Sequence, residues 1–151
     1  MKYEVTVVEL PAKQLVGLSE RISMADAKER CPALWRAFWL RRGEVTDIVE
    51  NCAYGVSAHM EENGGFDYWA TLPVSPTANT PSGMKRLTLR AGKYAKCTID
   101  LASMEEACEF LYGEWAQAQK DHPVDFAAAC FERYANDWQE TDTFEFYVPL
   151  S

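Results

Sequence analysis

A chain of 151 residues suits one domain, which buries about two-thirds of the surface its unfolded chain exposes, and a 48% hydrophobic, 25% charged composition excludes a disordered or fibrous protein. A net charge of -8, with Lys and Arg in no long block, argues against direct binding of nucleic acid, whose phosphates call for a basic surface. Five scattered cysteines (Cys31, Cys52, Cys97, Cys108 and Cys130) without a C-x-x-C pair suggest neither a disulfide framework nor a zinc site, and the absence of a signal segment or membrane-length apolar run sets the expectation of a soluble, cytoplasmic protein.

In chain order, "YEVTVVEL" (Tyr3 to Leu10) alternates as a strand, and "KQLVGLSERI" resumes the extended pattern after Pro11. "SMADAKERCPALWRAFWLRRGEV" then reads as a helix with Ser23 as N-cap and with Leu34, Trp35, Phe38 and Trp39 at helical spacing, which Pro32 splits or kinks. "CAYGVSAHME" and "FDYWATLPV" form a hairpin around the Asn-Gly of "ENGG". The Pro-rich "LPVSPTANTPSGMK" links this half to the next.

The second half repeats the order. "MKRLTLRAGKYAKCTIDL" is extended on both sides of Ala91-Gly92, "SMEEACEFLYGEWAQAQ" is a helix with Ser103 as N-cap and Glu106 completing a capping box, and "ACFERYAND" with "FEFYVPL" closes the chain as a hairpin. The expected fold class is α+β: two strand-helix-strand-strand modules, residues about 1-75 and 84-151, related by a pseudo-twofold axis within a single domain over 1-151. An antiparallel sheet carries two main helices, and the seam between modules is the natural place for a ligand cleft.

His59 and His122 have no second ligand at metal spacing, and "RAGK" lacks the spaced glycines of a phosphate loop, so neither metal nor cofactor is expected. Glu132 sits in a strand between Phe131, Arg133 and Tyr134. A surface position leaves it a solvated charge, whereas burial demands a partner, because desolvating a lone carboxylate costs several kcal/mol.

The words "LRAGKYAKCTIDL", "FLYGEW", "CFERYAND" and "FEFYVPL", in that order, resemble the GyrI-like or AraC-type effector-binding domain, the ligand-binding domain of bacterial multidrug-sensing transcription regulators, over nearly the whole chain. No DNA-reading segment accompanies them, so the expectation is a standalone member. The resemblance implies an aromatic cleft around a buried glutamate that contacts lipophilic cations. That glutamate maps onto Glu132, and the candidate walls are Trp39, Tyr68, Trp69, Tyr112, Trp115, Phe146 and Tyr147. Trp138 is placed at the surface. The leading functional expectation is capture of a lipophilic organic cation. One alternative is hydrolysis of cyclopropane-containing genotoxins, with Glu132 as general base and Tyr112 or Tyr147 at the oxyanion. Another is an inhibitory or transcription-regulating interaction with a separate regulator protein or in a homodimer.

Overall fold

In the computed structural model, which describes residues 3–151, the elements are β1 (Val5–Leu10), β2 (Lys13–Ser23), α1 (Ala27–Arg41), β3 (Cys52–Ala58), β4 (Gly65–Val74), β5 (Lys85–Leu89), β6 (Gly92–Ile99), α2 (Met104–Phe110), β7 (Cys130–Ala135) and β8 (Phe144–Pro149). α2 runs on through a π-helical stretch, Leu111–Trp115, into a last turn, Ala116–Ala118. All eight strands join one antiparallel sheet in the order β1-β6-β8-β7-β3-β4-β2-β5.

That order makes the duplication explicit. Each half contributes three adjacent strands, β3-β4-β2 from the first and β6-β8-β7 from the second, and the halves meet where β3 pairs with β7. Gly55 lies opposite Glu132 on this central ladder. The repeat also has a leading strand that the strand-helix-strand-strand reading left out. β1 pairs with β6 of the second half, and β5 pairs with β2 of the first, so each half extends the other's edge.

Both helices cover the same face. Phe38 of α1 packs on Val16, Ala53, Ala70 and Leu72, while Leu111 and Trp115 pack on Ala95, Cys97, Phe146 and Val148. The other face carries Leu15, Tyr54, Val56, Trp69, Phe131 and Tyr147. Leu89 from one edge of the sheet and Tyr94 from near the other join this same cluster, so the sheet curls around it.

Four local readings are corrected. Ser23 ends β2 and is not the N-cap of α1; Asp26 holds that position, its carboxylate accepting from the Ser23 amide at 2.9 Å. In the second half the capping box forms one turn early, between Asp100 and Ser103, because Asp100 accepts the Ser103 amide at 2.9 Å while the Ser103 hydroxyl takes the Asp100 amide. The β3-β4 connection is a longer loop than the Asn-Gly signal suggests, with His59 at φ 54° and Gly64 at φ 89° both in the left-handed region. α1 passes Pro32 unbroken, held to the sheet by its apolar side. No helix among the described residues is long and apolar enough to cross a membrane.

Candidate functional site: a buried glutamate between the helices

β7 alternates Cys130, Glu132 and Tyr134 toward the helices and Phe131 and Arg133 away from them, as a pleated strand must. Glu132 therefore projects into the helix-covered layer at the seam of the two modules, and it is only 2% exposed. Its Oε1 accepts from the Tyr68 hydroxyl at 3.0 Å and from the Tyr134 hydroxyl at 2.9 Å. Oε2 is buried with no partner. Burial raises its carboxyl to about 7 despite the two hydroxyls, which pull the other way. The same burial, with the carboxylate nearby, lifts the tyrosine hydroxyls of Tyr68 and Tyr134 well above their usual range.

Aromatic rings enclose this carboxylate. Trp35 of α1 donates its indole N–H to the Tyr68 hydroxyl at 2.9 Å, completing a chain of donors from Trp35 to Tyr68 to Glu132. The Trp35 ring stands edge-on to Tyr134 and to Trp39, 5.8 Å between centroids in each case, and Trp138 and Phe144 each lie 4.8 Å from Tyr134. Cys31 from α1 and Cys130 from β7 border the same space. Burial, with the Glu132 carboxylate adding to it, pushes their thiols up to about 12 and about 11, so both stay protonated and weakly nucleophilic at neutral pH.

Gly55 provides the floor. A Cβ there would run into the Tyr68 hydroxyl and stand 2.9 Å from Glu132 Oε1. Gly55→Ala is expected to cost about 1–3 kcal/mol of stability in urea titrations, the usual penalty for overpacking. Adding Tyr68→Phe, which removes the obstructed hydroxyl, should recover part of that loss. Strictly additive costs would show that the methyl and the hydroxyl do not meet.

The aromatic candidates distribute unevenly around Glu132. Tyr68 is in direct contact, and Phe146 is its ladder partner on β8, buried in the second-half core with Trp115. Trp39 lies beyond Trp35, 38% exposed, with the Arg42 guanidinium 4.2 Å from its ring centroid. Tyr112 is half-buried beside Cys130, its ring 5.7 Å from that of Phe126. Trp69 and Tyr147 are on the opposite face, because each follows or precedes an inward residue by one position; the Tyr147 hydroxyl donates to Glu145 at 3.0 Å. The pairing of Glu132 with Tyr147 that hydrolysis was to use is thus not assembled, and the hydroxyls at the carboxylate are those of Tyr68 and Tyr134. Trp35, Tyr134 and Gly55 were missed. Tyr134 was within reach of the i, i+2 rule applied to Glu132.

Among the described residues no three His, Cys, Asp or Glu side chains are grouped to hold a metal. Comparison with known proteins places this architecture. A family model described as Cass2, integron-associated effector binding protein, matches residues 6–150. The chain belongs to the Cass2 family. As a member of this family it is an effector-binding protein. Among solved structures, SAV2435 bound to tetraphenylphosphonium aligns over 100% of this Cass2-family chain and 94% of its own at 17% identity and TM-score 0.74. The Vibrio cholerae integron cassette protein VCH_CASS2 covers 99% of this chain and 97% of its own at 19% identity and TM-score 0.67. The EcmrR C-terminal domain covers 100% and 99% at 11% identity and TM-score 0.71. At these identities the likeness speaks to fold. No curated protein sequence matches the chain significantly.

Proposed function

We propose that the protein captures lipophilic organic cations at Glu132, with Trp35, Tyr68, Tyr134 and the outer ring of Trp39 as the aromatic surround. One observation carries the reading: a fully buried carboxylate with one oxygen unpartnered, set among aromatic rings in a family of effector-binding proteins. A buried anion without a counterion is costly, and a desolvated cation offsets that cost while each well-placed ring adds roughly 0.5–2 kcal/mol of cation–π attraction. SAV2435, similar in fold, holds tetraphenylphosphonium, a cation of this class. Because Glu132 is covered, entry requires the half-buried rings of Trp35 and Tyr134 to swing aside. One point charge and stacking rings discriminate shape weakly, so selectivity is broad.

The test is a tryptophan-fluorescence titration with tetraphenylphosphonium against triphenylphosphine oxide, a neutral compound of related shape. Saturable quenching by the cation at concentrations at least tenfold below those needed for the oxide is the expected result. Equal responses to both compounds, or none to either, would overturn the reading.

A further inference from the structure

The curled face of the sheet, away from Glu132, carries a second feature that cation capture does not use. At the end where β5 turns into β6 and the chain enters β7, a cavity of about 220 Å³ opens between Leu87, Leu89 and Tyr94 on one side and the loop holding Ala128 on the other. Its walls are mostly apolar, with Thr88 and His59 among them, and the lining includes one guanidinium, that of Arg90. That guanidinium is positioned from several directions. Nη2 donates to the Leu150 carbonyl at 2.8 Å and reaches Asp125 at 3.4 Å, Cζ lies 5.5 Å from the Tyr94 ring centroid, and Nη1 occupies the space a side chain at Gly92 would take. The Tyr94 hydroxyl in turn donates to the Arg90 carbonyl at 2.7 Å, so ring and guanidinium are held as a unit.

Such a fork is suited to a planar carboxylate, and it has five N–H donors, of which the two contacts above use only those on Nη2. Asp125 shows which group the fork accepts, and its 3.4 Å contact is long enough for a better-placed carboxylate to outcompete. The Asp125 side chain is otherwise engaged, since Oδ1 accepts the Ala127 amide at 3.0 Å. His59, also in the lining, has its Nδ1 2.7 Å from Asp67, and Arg90 is the guanidinium of the cavity.

We propose that this cavity is a second ligand site, for a small organic anion with a carboxylate on a compact apolar body. The carboxylate meets Arg90 at the rim, and the body lies between Leu87, Leu89, Tyr94 and Ala128. The site is separate from the Glu132 cleft, because Phe131, whose ring is 5.3 Å from Tyr94, points away from the helices while its neighbour Glu132 points toward them.

Isothermal titration with benzoate, and with benzyl alcohol as the uncharged counterpart, tests this. Saturable benzoate binding at least tenfold tighter than benzyl alcohol is expected, and saturating tetraphenylphosphonium should not displace it. Ala128→Phe, which fills the void, and Arg90→Gln should each weaken benzoate at least tenfold, and Ala128→Phe should leave the tetraphenylphosphonium titration unchanged. If either variant loses its fold by circular dichroism, the other decides. Absence of benzoate binding, equal binding of the alcohol, indifference to the substitutions, or displacement by the phosphonium overturns the proposal. Failure of the phosphonium to bind the native chain instead counts against the Glu132 reading and leaves the benzoate result standing.

Discussion

At pH 8 the Glu132→Gln variant is expected to bind tetraphenylphosphonium about 10- to 100-fold more weakly than the native chain, a loss of about 1.4–2.8 kcal/mol, with little change for triphenylphosphine oxide. Glutamine keeps a carbonyl oxygen for the hydroxyls of Tyr68 and Tyr134, and it exchanges the unpartnered Oε2 and its charge for a neutral amide NH2. The same substitution changes how stability depends on pH. Burial raises the folded-state carboxyl from 4.5 to about 7, so between these values the folded protein holds a proton that the unfolded chain has released. Stability therefore falls as pH rises through that window, and the loss is complete above about pH 7, at roughly 3 kcal/mol. Urea unfolding at pH 4, 5, 6, 7 and 8 should show the native chain losing ground to Glu132→Gln by about this amount. Parallel profiles would mean that the carboxyl titrates as an ordinary surface acid. Cation binding runs the other way with pH, since the proton must leave first. Native affinity should drop about tenfold per pH unit below 7, and the glutamine variant should stay flat.

Phe131→Ala should be the most damaging substitution away from Glu132 and its ring partners, costing about 3–5 kcal/mol. Phe131 is 2% exposed, stacks on Tyr147 at 4.5 Å between centroids, and meets Tyr94 edge-on at 5.3 Å and Tyr54 at 5.6 Å. Those partners stand on β8, β6 and β3, so this one β7 ring ties a first-half strand, β3, to two further strands of the second half across the seam. Against a total stability of about 5–15 kcal/mol, that loss brings the protein near its threshold. The unfolding transition should remain single in denaturant, shifted to lower midpoint with unchanged slope. Two resolved transitions would show that the halves unfold independently and that the ring does not couple them.

The fold was legible in the sequence because each half repeats its own order of strand and helix signals, and because alternation in "YEVTVVEL" survives at an exposed edge. The strand phases at the centre were not. β4 is buried along nearly its whole length, Phe66 and Tyr68 on one face and Trp69 and Thr71 on the other, so its residues form a continuous apolar run in which neither phase stands out. This is why Tyr68 and Trp69 were grouped and are in fact separated by the sheet. β8 hid the positions of Phe146 and Tyr147 in the same way. On α1 four apolar residues, Leu34, Trp35, Phe38 and Trp39, define a stripe without fixing its rotation, and packing turns Phe38 and Trp35 inward and Trp39 toward solvent. The burial of Glu132 is not legible from its own strand, since an acid there is by itself more often solvated; only the resemblance carried by the word "CFERYAND" singles it out.

The crossing of β1 and β5 into each other's halves bears on how the molecule is made. β1 precedes the other described strands, yet its ladder partner among the described residues, β6, lies far along the chain, and β2 pairs with the later β4 and β5. Neither half can finish its sheet by itself, so closure waits on distant contacts and is slow, as for other folds dominated by them. The same crossing works as an internal clasp, since each half holds the other's outer strand, and the two halves then contribute unlike parts to one place: the second supplies Glu132, and the first the Trp35, Tyr68 and Gly55 that fit around it.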